Sequence, residues 1–219
     1  MPKCKICKFP FEYKYNSLEK TCRNYDCMVE YALQVAKDPK NKVKAEKMER
    51  LEWSNRKAEM TFENMSSDAY RSKVIQPIIN EISRLIDYGN PCIASGRYNG
   101  KMAGGHFISV GSNRSVALNL HNIHIQTFES NSFRSGDEAK YRLGIVDRYG
   151  NGYFEFMESL RHLKGIDLSK QRLSELKPLI SQIRNDLKRN PTKRTPQERI
   201  ELRNEINEKI GIYPDIFTN

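Results

Sequence analysis

Nowhere in the chain do about eighteen apolar residues run together, so a membrane-spanning helix is not expected. The first residues, Met1-Pro2-Lys3-Cys4-Lys5-Ile6-Cys7, lack the apolar core of a secretory signal, which predicts a cytoplasmic protein. No stretch pairs a basic face with a continuous Trp, Phe or Leu face, so a membrane surface is not an expected partner either. Only five cysteines are present, and an odd number in a reducing compartment fits poorly with a disulfide set. Histidine is scarcer still, at four residues, and acidic residues are in deficit, 27 against 37 Lys and Arg.

That deficit leaves a net charge of +10, with the basic residues spread over most of the chain. Neutralising phosphates is the commonest use of such an excess, so nucleic acid is the expected partner. With 219 residues, 38% hydrophobic and 29% charged, the chain has room for one medium domain with appendages or for two small ones. The expected fold class is α+β and mostly helical. It comprises a zinc knuckle at 1–27, a long charged helical linker at 28–66, a core at 67–150 built on a ββα hairpin unit, and a basic helical tail at 151–219.

Four of the five cysteines fall in two close pairs, Cys4-x2-Cys7 and Cys22-x4-Cys27. Each pair can grip a zinc ion from one turn, and four thiolates leave no open coordination position, so the expected zinc is structural. A segment this short buries too little apolar area to fold alone, so the metal would supply its folding free energy. From 28 to 66, Lys and Arg alternate with Glu at helical neighbour spacing, with Pro39 as an interruption. Val74, Ile75, Ile78, Ile79, Ile82, Leu85 and Ile86 mark an amphipathic helix, in which Pro77 predicts a kink or restart. Strands are expected at 103–110 and 117–126, a short helix from Ser130, and helices at 138–149, 152–163, 168–189 and 196–210. The last has a clear start: Thr195 as cap, Pro196 in the first helical position and Glu198 three residues on.

Three of the four histidines, His106, His121 and His124, are gathered with Asn122 and Asn131 between Ala103 and Asp137. An imidazole that accepts a proton near neutral pH, beside groups able to hold a hard cation, is what phosphodiester hydrolysis requires. His106 is the expected general base, with Asn122 orienting it or bracing the loop between the strands. Asn131 is an expected ligand of a catalytic Mg²⁺ or Mn²⁺. His124, which strand alternation places on the same face as Asn122, is a second ligand and site candidate. His121 should point the other way. Arg134, Arg142, Lys170, Arg172, Lys188 and Arg189 are expected DNA contacts.

The order Pro91-Cys92-Ile93-Ala94-Ser95-Gly96, Ala103-Gly104-Gly105-His106-Phe107, Asn122-Ile123-His124-Ile125-Gln126, Ser130-Asn131 and Arg134-Ser135-Gly136-Asp137 resembles the NinG family, also called Rap, of lambdoid-phage and prophage recombination proteins. The resemblance covers most of the chain, including the cysteine knuckle and the charged helix. It implies a structure-specific endonuclease for branched intermediates such as Holliday junctions and D-loops, working in a bacterial host cell. It also implies a centre similar to HNH, or ββα-metal, nucleases, with phage or host recombination proteins as further partners. The family pattern carries two Cys-x2-Cys pairs around the centre. Here Cys92 remains, with Ser95, Thr127 and Ser130 in the other places, and Ala103 stands where the family has an acidic residue. The alternatives are a non-catalytic protein that binds branched DNA or single strands, and a zinc-knuckle adaptor for another recombination protein. Symmetric cutting of a junction would call for a homodimer.

Overall fold

The structure is a computed structural model that describes residues 1–15, 18–133, 137–213 and 217, apart from the side chains of 132 and 133. Two compact units divide the chain, Met1–Asn64 and Met65–Asn219. The fold is mostly helical with one small antiparallel sheet. Among the described residues, no helix is long and apolar enough to cross a membrane.

The first unit carries the cysteine knuckle and two helices, α1 (Tyr25–Lys37) and α2 (Pro39–Asn64). Asn24 starts α1 by accepting from the amides of Asp26 and Cys27 at 2.9 and 3.3 Å. Pro39 does not kink one long helix; it opens the second, where its missing amide hydrogen costs nothing. No residue of α2 is buried, in keeping with its charge pairs at helical spacing.

The second unit begins with α3 (Ser67–Tyr70), a π-helical turn (Arg71–Ile75) and α4 (Gln76–Ile86). The restart expected at Pro77 falls here: proline cannot donate to the preceding turn, and the chain widens just before it. The sheet pairs β1 (Met102–His106) with β2 (Ile123–Thr127), so that His106 faces Ile123 and Gly104 faces Ile125. The helices that follow are α5 (Phe128–Phe133), α6 (Glu138–Tyr149), α7 (Asn151–Ser159), α8 (Lys170–Arg189) and α9 (Pro196–Ile210). The expected capping box forms, the Thr195 hydroxyl accepting from the Glu198 amide and the Glu198 carboxylate from the Thr195 amide.

Both strands are shorter than expected, and α5 begins at Phe128 rather than Ser130. Residues 107–122 form a loop with two short 3₁₀ turns, Arg114–Val116 and Leu120–Asn122. Its alternating apolar residues serve two cores instead of one sheet face. Leu118 and Leu120 join Ile79, Ile82 and Leu173 in one cluster, while Phe107, Ile108 and Val116 join Tyr141, Ile145 and Met157 in another. Anchored from both sides, the loop is part of the core.

A buried ionic knot ties the sheet to the helices. Asp87, at the end of α4, lies with both carboxylate oxygens 2.9 Å from Nη2 of Arg203 on α9. The same carboxylate accepts from the Ile125 amide at 2.9 Å and the Tyr149 hydroxyl at 3.2 Å. Arg199 stacks on the Tyr149 ring, 5.1 Å from its centroid, with Nε 3.8 Å from Asp87. Gly144 lets α6 pass directly beneath the 92–97 loop, where an added Cβ would lie 1.8 Å from the Ile93 carbonyl oxygen.

Candidate functional site

In the first unit, the backbone folds each cysteine pair around one point. The Cys4 amide donates to the Phe9 carbonyl at 2.9 Å, and the Lys8 amide to the Cys4 carbonyl at 3.0 Å, giving the first pair a tight knuckle. Cys27 sits in the first turn of α1, and Phe11 packs over Cys4 and Cys27. All four sulfurs lie within 4.8 Å of one another, and Cys7 and Cys22 are 3.7 Å apart. Zinc–sulfur bonds of about 2.3 Å in a tetrahedron require sulfur–sulfur edges of about 3.8 Å, so the four thiols could hold a zinc ion. Backbone donors at Cys22, Cys7 and Ile6 outweigh the effect of burial on Cys4, taking its thiol down to about 6. Burial and the neighbouring sulfurs push Cys27 up to about 12, as expected where four thiols cannot all ionise without a cation. Purified protein should therefore carry about one zinc per chain, measured by chelator-release spectrophotometry, and Cys7→Ser should lose it.

The second unit holds the histidines. His106 ends β1 with its Nε2 2.9 Å from the Ala117 carbonyl oxygen. A carbonyl only accepts, so Nε2 carries the proton and Nδ1 keeps its lone pair. The amide nitrogen of Gln76 lies 3.2 Å from the same Nε2, and as a donor it makes no hydrogen bond to the protonated nitrogen. Its orientation is set by its neighbours: Arg71 Nη1 donates to Gln76 Oε1 at 3.4 Å, and Gln76 Nε2 donates to Asn80 Oδ1 at 2.9 Å. Burial lowers the His106 pKa below 6.5 and the Arg71 charge adds to this, while the Ala117 carbonyl works the other way. The neutral ring is the form available at neutral pH.

His106 lines a cleft of about 200 Å³ together with Ser109, Ser112, Glu138, Tyr141 and Arg161. Arg161 stands in the 3₁₀ turn after α7, 3.0 Å from Glu138 and 2.6 Å from Glu158, with its guanidinium over the Phe107 ring. Asn122 is wholly buried and fixes the loop at both ends. Its Oδ1 accepts from the Ile108 amide at 2.7 Å, and its Nδ2 donates to the carbonyls of Ile108 at 3.0 Å and Val116 at 3.3 Å. Because Val116 precedes Ala117, this clasp also sets the carbonyl that orients His106.

His124 occupies a different environment from His106. It has no accessible surface, and its two ring nitrogens face the hydroxyls of Tyr141 at 3.1 Å and Tyr153 at 3.5 Å. Tyr141 donates its own proton to the Gly105 carbonyl at 2.9 Å, so His124 Nδ1 must donate to the Tyr141 oxygen. His124 thus braces the backbone next to His106, and neither of its nitrogens is turned to the cleft. His121 is also fully buried, between Tyr153 at 3.0 Å and Asn204 at 2.9 Å. Burial and then the Arg203 charge lower the His121 pKa to about 3, and the same two causes hold His124 well below 6.5.

Both groups bind protons more readily when the chain unfolds. Their stabilising contribution is complete above pH 6.5 and is lost as pH falls from there toward the folded values. Between pH 6.5 and 5, the unfolding free energy should drop by roughly 1.4 kcal/mol per pH unit for each of these histidines, as urea titrations would show.

Asn131 is half-buried on α5, which packs on both strands. Among the described residues, the one group of three or more His, Cys, Asp or Glu placed to share a metal ion is the cysteine set. Of the expected DNA contacts, Arg142 stacks over Phe154 and reaches Glu158 at 3.4 Å, close to Arg161. Lys170 begins α8, and Lys188 and Arg189 end it, exposed. Arg172 instead donates to the Ile210 and Gly211 carbonyls at the end of α9. Arg134 lies outside the described residues, as do Ser135 and Gly136.

Cys92, Ser95, Thr127 and Ser130 gather as a hydrogen-bonded group. The amide of Ser95 donates to Cys92 Sγ at 3.3 Å and that of Ser130 to Thr127 Oγ1 at 3.3 Å, with Cys92 Sγ 3.8 Å from Thr127 Oγ1. Nothing in the sequence places Gln76, Ala117, Glu138, Tyr141 and Arg161 beside His106, because they meet only through contacts between distant parts of the chain.

No curated protein and no solved structure matches the chain. The model of the bacteriophage lambda NinG protein family matches residues 1–193, from the cysteine knuckle through the hairpin to just beyond the end of α8, and the chain therefore belongs to that family.

Proposed function

We propose that the protein is a divalent-metal-dependent endonuclease for branched DNA, cutting recombination intermediates such as Holliday junctions and D-loops at an HNH-like centre. The observation that carries this reading is the clamped imidazole: His106 Nε2 is committed to the Ala117 carbonyl, and the ring lines a cleft that also holds Arg161. That tautomer leaves Nδ1 to take a proton from water as it attacks phosphorus, with the 3′ oxygen leaving. Arg161 supplies positive charge to the phosphate, and Asn122 holds the loop so that the Ala117 carbonyl stays in place. Mg²⁺ or Mn²⁺ commonly takes only one or two protein oxygens, and in this cleft the Glu138 carboxylate would supply one. Such an ion would neutralise the charge that builds on the phosphorane.

One observation favours a second reading, a protein that binds branched DNA without cutting it. No cluster of three metal-ligating side chains surrounds His106 among the described residues. Incubation of labelled four-way junctions and linear duplexes with Mn²⁺, Mg²⁺ or chelator separates the two. Metal-dependent nicks at the junction support the nuclease; salt-sensitive binding without any nick supports the binder.

A further inference from the structure

We propose that Tyr88 and Tyr98 form a stacking site for an unpaired nucleobase, at the far end of β1 from His106. This inference rests on the DNA reading above but not on cleavage. The two tyrosines line a groove of about 340 Å³ together with the apolar side chains of Leu85, Met102 and Ile125. Both residues are exposed, Tyr88 at 47% and Tyr98 at 69%, so their rings are open to a partner.

The charge around the groove selects the occupant. Its one carboxylate, Glu81, already has two partners, Arg184 at 3.8 Å and Lys188 at 3.4 Å. Arg84 lines the groove, and Arg194 donates to the Leu85 carbonyl at 3.2 Å. The Lys193 side chain passes so close to Gly89 that an added Cβ would sit 3.4 Å from it. Exposed tyrosines beside apolar side chains, set in a positive rim, match a base attached to a phosphate backbone. Every base has a π face, so such a site recognises the unpaired state and not a sequence. A fully paired duplex keeps its bases stacked and would gain nothing there.

The placement also fits the cleft. Met102 and His106 begin and end the same strand, about 13 Å apart at the usual rise per residue. That is about four steps along one strand of a duplex. A base held against the tyrosines would thus leave the neighbouring backbone within reach of the His106 cleft.

The test uses the full chain and a flayed duplex carrying 2-aminopurine at an unpaired position beside the fork, with a matched linear duplex as control. Stacking should quench the probe's fluorescence on binding. Tyr98→Ala and Tyr88→Ala should each abolish the quenching and weaken binding to the flayed DNA by about 5- to 100-fold. Affinity for the linear duplex and the thermal melt should not change, and Tyr98→Trp should retain both quenching and affinity. Equal losses on flayed and linear DNA, unchanged quenching in both alanine variants, or no binding of DNA by the native protein would each overturn the inference. Quenching without any nick in Mn²⁺ would leave the stacking site standing while removing the nuclease reading. Nicking at the fork with no dependence on either tyrosine would do the reverse.

Discussion

Asp87→Ala is expected to destabilise the second unit by about 3–5 kcal/mol, the largest stability change foreseen for a single side chain here. The carboxylate has no accessible surface, and removing it strands the guanidinium of Arg203, which is equally buried, along with that of Arg199. It also takes the acceptor from the Ile125 amide in the middle of β2 and from the Tyr149 hydroxyl on α6. A buried charge left without its partner costs far more than the net value of the pair, which is why the effect is large. Tyr149 and Arg199 moderate it only in part, through their cation–π contact. Urea denaturation followed by circular dichroism would measure the loss. A change under about 1 kcal/mol would mean that the knot contributes little to the fold. Replacing Asp87 and Arg203 together by apolar residues of similar volume should recover much of the loss, since neither charge then remains unpaired.

His106→Ala is expected to lower the rate of metal-dependent nicking by about 10²- to 10⁴-fold, the range that a positioned general base contributes. Binding to the junction should change little, because the imidazole is neutral and makes no phosphate contact in this reading. Asn122→Ala should slow nicking as well, for a different reason. It removes the clasp on Ile108 and Val116, so the Ala117 carbonyl moves and the ring loses its fixed tautomer. Its signature is a slower rate accompanied by a larger loss of stability than in His106→Ala, because Asn122 anchors the loop through three hydrogen bonds and His106 through one carbonyl.

The sequence made the helices easy to read where local chemistry decides them. The Thr195–Glu198 capping box and the 138–149 periodicity each depend on residues within a few positions, and α9 and α6 begin and end where those signals place them. The cysteine pairs were legible for the same reason. The hairpin was read too long because residues 107–122 carry the alternation of a strand, yet they divide between two cores that sequence cannot show. Asn122 closes a 3₁₀ turn and β2 starts only at Ile123, so the Asn122–His124 spacing straddles a turn and a strand and is not strand alternation. Much of the His106 setting comes from further off in sequence. Gln76 is 30 residues from His106, and the cleft is completed by Glu138, Tyr141 and Arg161 from beyond the sheet. The Ala117 contribution is a backbone carbonyl, to which no side-chain motif can point. The Asp87–Arg203 pair spans 116 positions and carries no local signal at all.

The claim on which the functional account turns is that His106, neutral and held through Nε2, is the base. Single-turnover nicking of a labelled four-way junction, at saturating protein and fixed Mn²⁺ from pH 5 to 8, tests it most directly. The lowered pKa of His106 predicts a rate that rises with pH, reaches half its maximum below pH 6.5 and is flat by neutrality, with that profile gone in His106→Ala. A His106→Ala protein that nicks as fast as the native one, with the same dependence on pH, would contradict it.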